Sequence, residues 1–215
     1  GSSPEFGDAV WVVNVSSSKI ESRHPTVWSD TRFHGAARLS PDNRRLYLAR
    51  SDGLNYRYSI QCLDLATGQE LWQTERERDR GLTTLAISPD GRVLASGSGF
   101  EDPAIRVWEA ATGRLLVRLD GHTGWVHRLL FTRDGRRLIS AGGGREAVKL
   151  WDVGTRQELL TLGGTGFLDV AGWSSDGDMI LVSAPWQAWR APSWEEIAAA
   201  EAKENELREL YGIEK

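Results

Sequence analysis

Cysteine is all but missing from these 215 residues, with Cys62 standing alone. That excludes an internal disulfide framework and fits a reducing compartment. A basic excess is missing too: 26 Lys and Arg against 30 Asp and Glu leave a formal net charge of −4. Such a balance offers no electrostatic footprint for nucleic acid. No apolar run is long enough to span a membrane as a helix, and no signal-peptide core is present. The expectation is a cytoplasmic protein with neither a membrane nor a nucleic-acid partner. Gly1-Ser2-Ser3-Pro4-Glu5-Phe6 reads as a cloning scar, so residues 1–6 are set aside and the natural chain is expected to extend upstream of Gly7. What remains has room for one large all-β domain.

Four short strings organise that domain. Ser40-Pro41-Asp42-Asn43, Ser88-Pro89-Asp90-Gly91, Thr132-Arg133-Asp134-Gly135 and Ser174-Ser175-Asp176-Gly177 place their aspartates 48, 44 and 42 residues apart. A period in the low forties marks a structural repeat. Each string has hairpin-turn chemistry: Pro presets φ, Asp bonds the turn backbone, and Gly or Asn tolerates positive φ. Around them, short apolar stretches bounded by turn residues predict half-buried antiparallel strands. In the third unit these are 125–131, 137–141, 147–152 and 158–162. The second unit has 82–87, 93–97, 104–108 and 115–119, and the first has 33–39, 46–50, 58–63 and 70–74. A fourth unit begins with 167–173, 179–184 and 186–189. Upstream, 10–14 and 19–23 match a third and fourth strand without their partners.

Residues 8–194 resemble the WD40 repeat family in turns, strand order and the Trp-Asp position. That position reads Trp151-Asp152, Trp108-Glu109, Leu63-Asp64, Val13-Asn14 and Trp189-Arg190, and Gly121-His122 supplies one Gly-His element. The resemblance implies a hydrogen-bonded cluster of His, Ser/Thr, Asp and Trp. His122, Ser140 and Trp151 match it, with Arg145 at the Asp position. In the second unit Ser96 or Ser98, Asp102 and Trp108 match, with Arg78 where His would stand. Propellers have about four to eight four-stranded blades. Here three complete blades, a leading strand pair and a trailing set of three predict about four WD40-like blades over residues 7–191, as a partial ring or a fragment of a larger one. The leading pair docking on the trailing strands would close a four-blade ring; otherwise open edges invite pairing with another copy.

The last segment follows other rules. Ser193 and Glu196 form a capping box, and an Ala-, Glu- and Lys-rich run continues to Tyr211, predicting a C-terminal helix over 192–215. The string 189–197 resembles the chain end of bacterial WD40 proteins, many of which carry a kinase domain upstream.

Chemistry is sparse. The turn aspartates Asp42, Asp90, Asp134 and Asp176 sit on separate blades and cannot converge. His24, His34, His122 and His127 lack zinc-ligand spacing. The glycine runs 142–144 and 163–166 separate strands, whereas a phosphate loop needs a strand before and a helix after. Residues 62–72, CLDLATGQELW, resemble the repeat of quinoprotein propellers, which would imply a cofactor-dependent dehydrogenase, but the string occurs once. The charged stretch 75–80 reads as a solvated connection. Loops 51–57, 98–103 and 142–146 differ in length, and in WD40 rings these line the face that binds peptides or proteins. The candidate partner-binding residues are therefore Asn55, Tyr56, Arg57, Phe100, Glu101, Trp125 and Arg145. The reading is a non-catalytic interaction or scaffold module with no cofactor and no metal, binding a protein or peptide. Alternatives are a partial propeller that completes a ring with another copy, and a quinoprotein-like enzyme.

Overall fold

A computed structural model describes residues 9–14, 17, 19–25, 36–51, 57–75, 77–78, 81–99, 102–143, 148–163, 169–174, 179–183, 187–190 and 203. The chain opens with β1 (Ala9–Asn14) and β2 (Lys19–Pro25), an antiparallel pair that stands as its own two-stranded sheet. The first full blade comprises β3 (Ala37–Leu39), β4 (Arg45–Ser51), β5 (Arg57–Asp64) and β6 (Glu70–Gln73), in that order across the sheet. A short β7 (Glu77–Arg78) pairs with the start of β5. The second blade is β8 (Leu82–Ile87), β9 (Val93–Ser98), β10 (Ile105–Glu109) and β11 (Leu115–Leu119). The third is β12 (Val126–Phe131), β13 (Arg137–Gly142), β14 (Val148–Asp152) and β15 (Gln157–Leu162). The fourth sheet has three described strands, β16 (Asp169–Trp173), β17 (Met179–Ser183) and β18 (Gln187–Arg190).

Three of the four repeated turns are described throughout and share one geometry, and the fourth shows the same closing hydrogen bond. The hydroxyls of Ser40, Ser88, Thr132 and Ser174 each accept the backbone N–H five residues on, at 2.9, 2.9, 3.0 and 2.9 Å. In the first three, the Asp accepts the N–H two residues later, from Arg44, Arg92 and Arg136. Asn43, Gly91 and Gly135 then take φ of 56°, 72° and 71°. This is a type I turn closed by a left-handed residue, which delivers the next strand antiparallel. Because each carboxylate is held by a hydroxyl first and a backbone N–H second, Asp42, Asp90 and Asp134 stay below the usual carboxylate range.

Blades stack face on face. β8 packs against β3 and β4, β12 against β8 and β9, and β16 against β12 and β13. This is an all-β propeller architecture. The expectation of half-buried strands needs correction for the inner ones: β9 and β13 are buried along almost their whole length, whereas β15 is exposed over its first four residues. The reason is that an inner strand is sandwiched. Leu138 joins a core with Val107 and Ile105 of the second blade, while its neighbour Ile139 joins one with Ile180 and Val182 of the fourth. Each such side chain contributes about 1.5–3 kcal/mol by leaving water.

Polar joints lock the stack. The Ala110 carbonyl of the second blade receives the Trp72 indole N–H at 3.2 Å, the Tyr47 hydroxyl at 3.3 Å and an Arg45 guanidinium N–H at 3.3 Å, all from the first. The turns also touch in series: a Cβ on Gly91 would lie 3.3 Å from Pro41, and one on Gly135 would lie 3.5 Å from Pro89.

Three sequence expectations meet the structure here. The ladder of β1–β2 is separate from that of β16–β18, so the two do not form one closing blade among the described residues. The charged stretch 75–80 is not wholly a connection, since Glu77 and Arg78 pair with Tyr58 and Arg57. Of the C-terminal helix only Lys203 is described, and it is helical; residues 1–6 lie outside the described residues. Among those described, no helix is long and apolar enough to cross a membrane.

Candidate functional site

In the three four-stranded blades the start of the first and third strands and the end of the second and fourth meet at one face, where the connections named as candidate loops join their strands. On the third blade, Ser140 of β13 organises that end. Its hydroxyl accepts the Trp151 indole N–H at 2.8 Å and lies 2.6 Å from His122 Nε2. One hydroxyl thus serves both rings, since it can accept from the indole and still pair with the imidazole. The His122 ring is tilted over Trp151, with centroids 6.2 Å apart. Burial first, and the Lys149 ammonium second, push the His122 pKa down to about 4. A neutral, 6% exposed imidazole tied to Ser140 is a strut for the connection it sits on. Its Nδ1 is buried without a hydrogen-bond partner, and Gly142 makes room for it: a Cβ there would stand 2.7 Å away.

The second blade repeats half of this. Trp108 donates to Ser96 at 2.9 Å, which settles the choice between Ser96 and Ser98. Ser98 instead accepts from Arg106 at 2.9 Å. Asp102, which matches the Asp of the cluster, accepts from Arg106 at 2.5 Å and from Arg118 at 2.5 and 2.9 Å. The cause is a buried charge. Arg106 is 4% exposed and requires a counter-ion. Burial raises the Asp102 pKa, but hydrogen bonds from Arg118 and Arg106 outweigh that and hold the carboxyl below its usual range. Arg118 also donates to Asp120 at 2.8 Å.

Sequence reasoning missed a feature that these contacts share. Gln61, Arg106 and Lys149 stand two residues before Leu63, Trp108 and Trp151, and all three are buried. Gln61 reaches Glu70 at 2.5 Å, and Lys149 reaches Glu158 at 3.0 Å and Thr161 at 2.7 Å. The recurrence of a long polar residue at that place, with an acid on the fourth strand of the first and third blades, was the available signal.

Among the candidate partner-binding residues, Trp125 precedes β12 and is half-buried. Its carbonyl accepts the Gly143 N–H at 3.0 Å, tying two connections of the same face together. Arg57 opens β5 opposite Arg78, at the same end of its blade. Asn55, Tyr56, Phe100, Glu101 and Arg145 lie outside the described residues. At the opposite end, a groove of about 510 Å³ runs between the first two blades, walled by Pro41, Arg44, Tyr47 and Leu71. Among the described residues no three His, Cys, Asp or Glu side chains are placed to hold a metal ion.

Comparison with known proteins follows this geometry. The chain is 31% identical over 127 residues to the WD repeat-containing protein sll1491 of Synechocystis sp., covering 59% of this chain and 34% of that one. It is 31% identical over 157 residues to WD repeat and SOCS box-containing protein 1 of Xenopus tropicalis, covering 69% and 33%. Pre-mRNA-processing factor 19 homolog 2 of Arabidopsis thaliana matches at 29% over 119 residues, covering 55% and 21%. The chain thus spans about a third or less of these relatives. A family profile described as outer membrane protein assembly factor BamB (PQQ_2) matches residues 56–157. In solved structures, hydrazine synthase of Kuenenia stuttgartiensis superposes with a TM-score of 0.66 at 20% identity, over 81% of this chain and 49% of that one. U3-55K superposes with a TM-score of 0.57 at 21% identity, over 76% and 54%. Those two likenesses show the fold. Together with the repeated turns and the Ser–Trp pairs, the sequence relatives support a WD40-like repeat family for the chain.

Proposed function

We propose that this chain is a non-catalytic, cytoplasmic interaction module from a bacterial multidomain protein, one that presents Tyr56, Arg57, Phe100 and Trp125, with Asn55, Glu101 and Arg145, to a protein or peptide. The observation that carries the reading is the anchoring of that face. His122 fixes the connection before β12 to Ser140, and the Trp125 carbonyl fixes it to Gly143. Loops held in place by a rigid frame lose less ordering entropy when a partner binds. A captured partner titrated against the Tyr56→Ala, Phe100→Ala, Trp125→Ala triple variant is expected to lose at least about tenfold in affinity, as aromatic anchors do. Unchanged affinity with unchanged thermal stability would sink the proposal.

The 62–72 string, which lies within the profile match over 56–157, supports a quinoprotein-like dehydrogenase as the second reading. Residues of the 62–72 string already have structural work. Cys62 is fully buried, Asp64 accepts the Thr67 N–H at 2.8 Å, and Trp72 serves the Ala110 carbonyl. Added pyrroloquinoline quinone is therefore expected to leave the melting temperature unmoved.

A further inference from the structure

Between the first and second blades, at the end where the loops leave, lies a cavity of about 20 Å³. That is room for about one water-sized group. Ser59 reaches it from β5, Thr74 from just past β6 and Ser98 from the end of β9. Tyr58, which follows the loop 51–57, and Ser98, which opens the loop 98–103, both line it. The cavity therefore sits where the two connections that carry Tyr56, Arg57, Phe100 and Glu101 join the blades.

Its three hydroxyls are alike in one respect. Ser59 accepts from the Gln73 amide at 2.7 Å, Thr74 from the Ile60 N–H at 2.9 Å and Ser98 from the Arg106 guanidinium at 2.9 Å. Each oxygen is thus served, yet none of the three donates its own proton to a group among the described residues. Ser98 is 0% exposed and Ser59 3%, so bulk water does not reach them. A buried donor left without an acceptor costs about 1–3 kcal/mol. At the mouth the polarity reverses. Glu75 lines the cavity and is exposed, and its carboxylate makes no hydrogen bond or ion pair among the described residues.

Donors inside and an acceptor at the mouth describe a ligand group with an oxygen leading and an N–H behind it. We infer that this cavity receives the carboxamide of an asparagine or glutamine side chain, presented by the protein or peptide that binds the loop face; the assignment rests on the interaction reading above. The carboxamide oxygen takes the hydroxyl protons, and its NH₂ donates to Glu75. A carboxylate would set a second negative charge beside Glu75. An ammonium would meet only donors inside, with the Arg106 guanidinium behind them. A side chain seated between two blades in this way is the usual form of an interface anchor.

Tripeptides read the site without the partner. Gly-Asn-Gly or Gly-Gln-Gly, titrated to about 100 mM against the isotope-labelled full chain, is expected to shift the amide resonances of Ser59, Thr74 and Ser98 saturably. Gly-Asp-Gly and Gly-Ser-Gly should bind at least about tenfold more weakly. Thr74→Val and Ser98→Ala each remove one hydroxyl and should each weaken the carboxamide peptide at least about tenfold, whereas Thr74→Ser should keep it. Either hydroxyl variant stands in for the other if one melts early. No saturable shift from either carboxamide peptide overturns the inference. So does equal binding of the Asp or Ser peptide, or binding that survives the loss of the hydroxyls. Acetamide that binds as tightly as the tripeptides would assign the cavity to a free small amide and overturn its role in holding a partner. The partner titration with the loop-face triple variant is a separate measurement, so either reading can fall without the other.

Discussion

Trp72 of the first blade lies so close over Gly113 of the second that a Cβ on Gly113 would stand 2.5 Å from the indole ring. Gly113 also holds φ at 73°, in the turn where Thr112 bonds Glu109. Gly113→Ala is therefore expected to cost about 2–4 kcal/mol, from the left-handed backbone and the overlap together. Arg156 occupies the same turn position in the third blade with φ of 65°. Arg156→Gly should relieve that strain and gain up to about 1 kcal/mol. Urea titrations of the two variants check both signs.

His122 predicts an acid limb in stability. Its folded pKa of about 4 lies below the ordinary 6.5, so as pH falls the unfolded chain takes up the proton first. Its contribution is whole above pH 6.5 and is lost as pH falls toward 4, on the order of 3 kcal/mol. The turn aspartates act lower, because their folded pKa values are depressed and their contribution fades only below the usual carboxylate range. Melting temperatures between pH 7 and 4 should slope in the native chain and flatten in His122→Gln.

Ser140 and Ser96 differ in how many groups they serve. Ser140→Ala strands both the Trp151 indole and the His122 imidazole, whereas Ser96→Ala strands the Trp108 indole. The expected losses are about 2–4 and about 1–2 kcal/mol, at the usual cost of a buried polar group left unmet. Equal losses in a denaturant series would contradict the role given to His122.

Lys149 is 3% exposed and paired to Glu158. Burial raises the Glu158 pKa, while Thr161 and Lys149 more than reverse it. Glu158→Ala should cost about 1–3 kcal/mol by taking the carboxylate away from a buried ammonium, and Lys149→Met should stay within about 1 kcal/mol of the native chain. Calorimetry on the two variants separates the pair's worth from the cost of breaking it.

The repeated turns made the blades readable because their chemistry is local: Ser40, Ser88, Thr132 and Ser174 each carry a complete hairpin instruction within a few residues. The Ser140–Trp151 pair was legible through its spacing. Two things were not. β7 is two charged residues, Glu77 and Arg78, with no periodicity to betray them; the extra length of β5 makes the pairing. The Arg106–Asp102–Arg118 network was the other, because its two arginines come from two strands that only the folded sheet brings together. Of the candidate site, Trp125 alone among its members has a described side-chain environment.

The Ala110 carbonyl has one more consequence. Its three donors come from two different strands of the neighbouring blade, β4 and β6. If the first blade slid along the second by a single residue, all three would lose their acceptor at once, at about 1–3 kcal/mol each. A slip would then cost much of the stability a whole domain possesses. The junction therefore resists creep, because one carbonyl holds two strands of the first blade in a single register on the second.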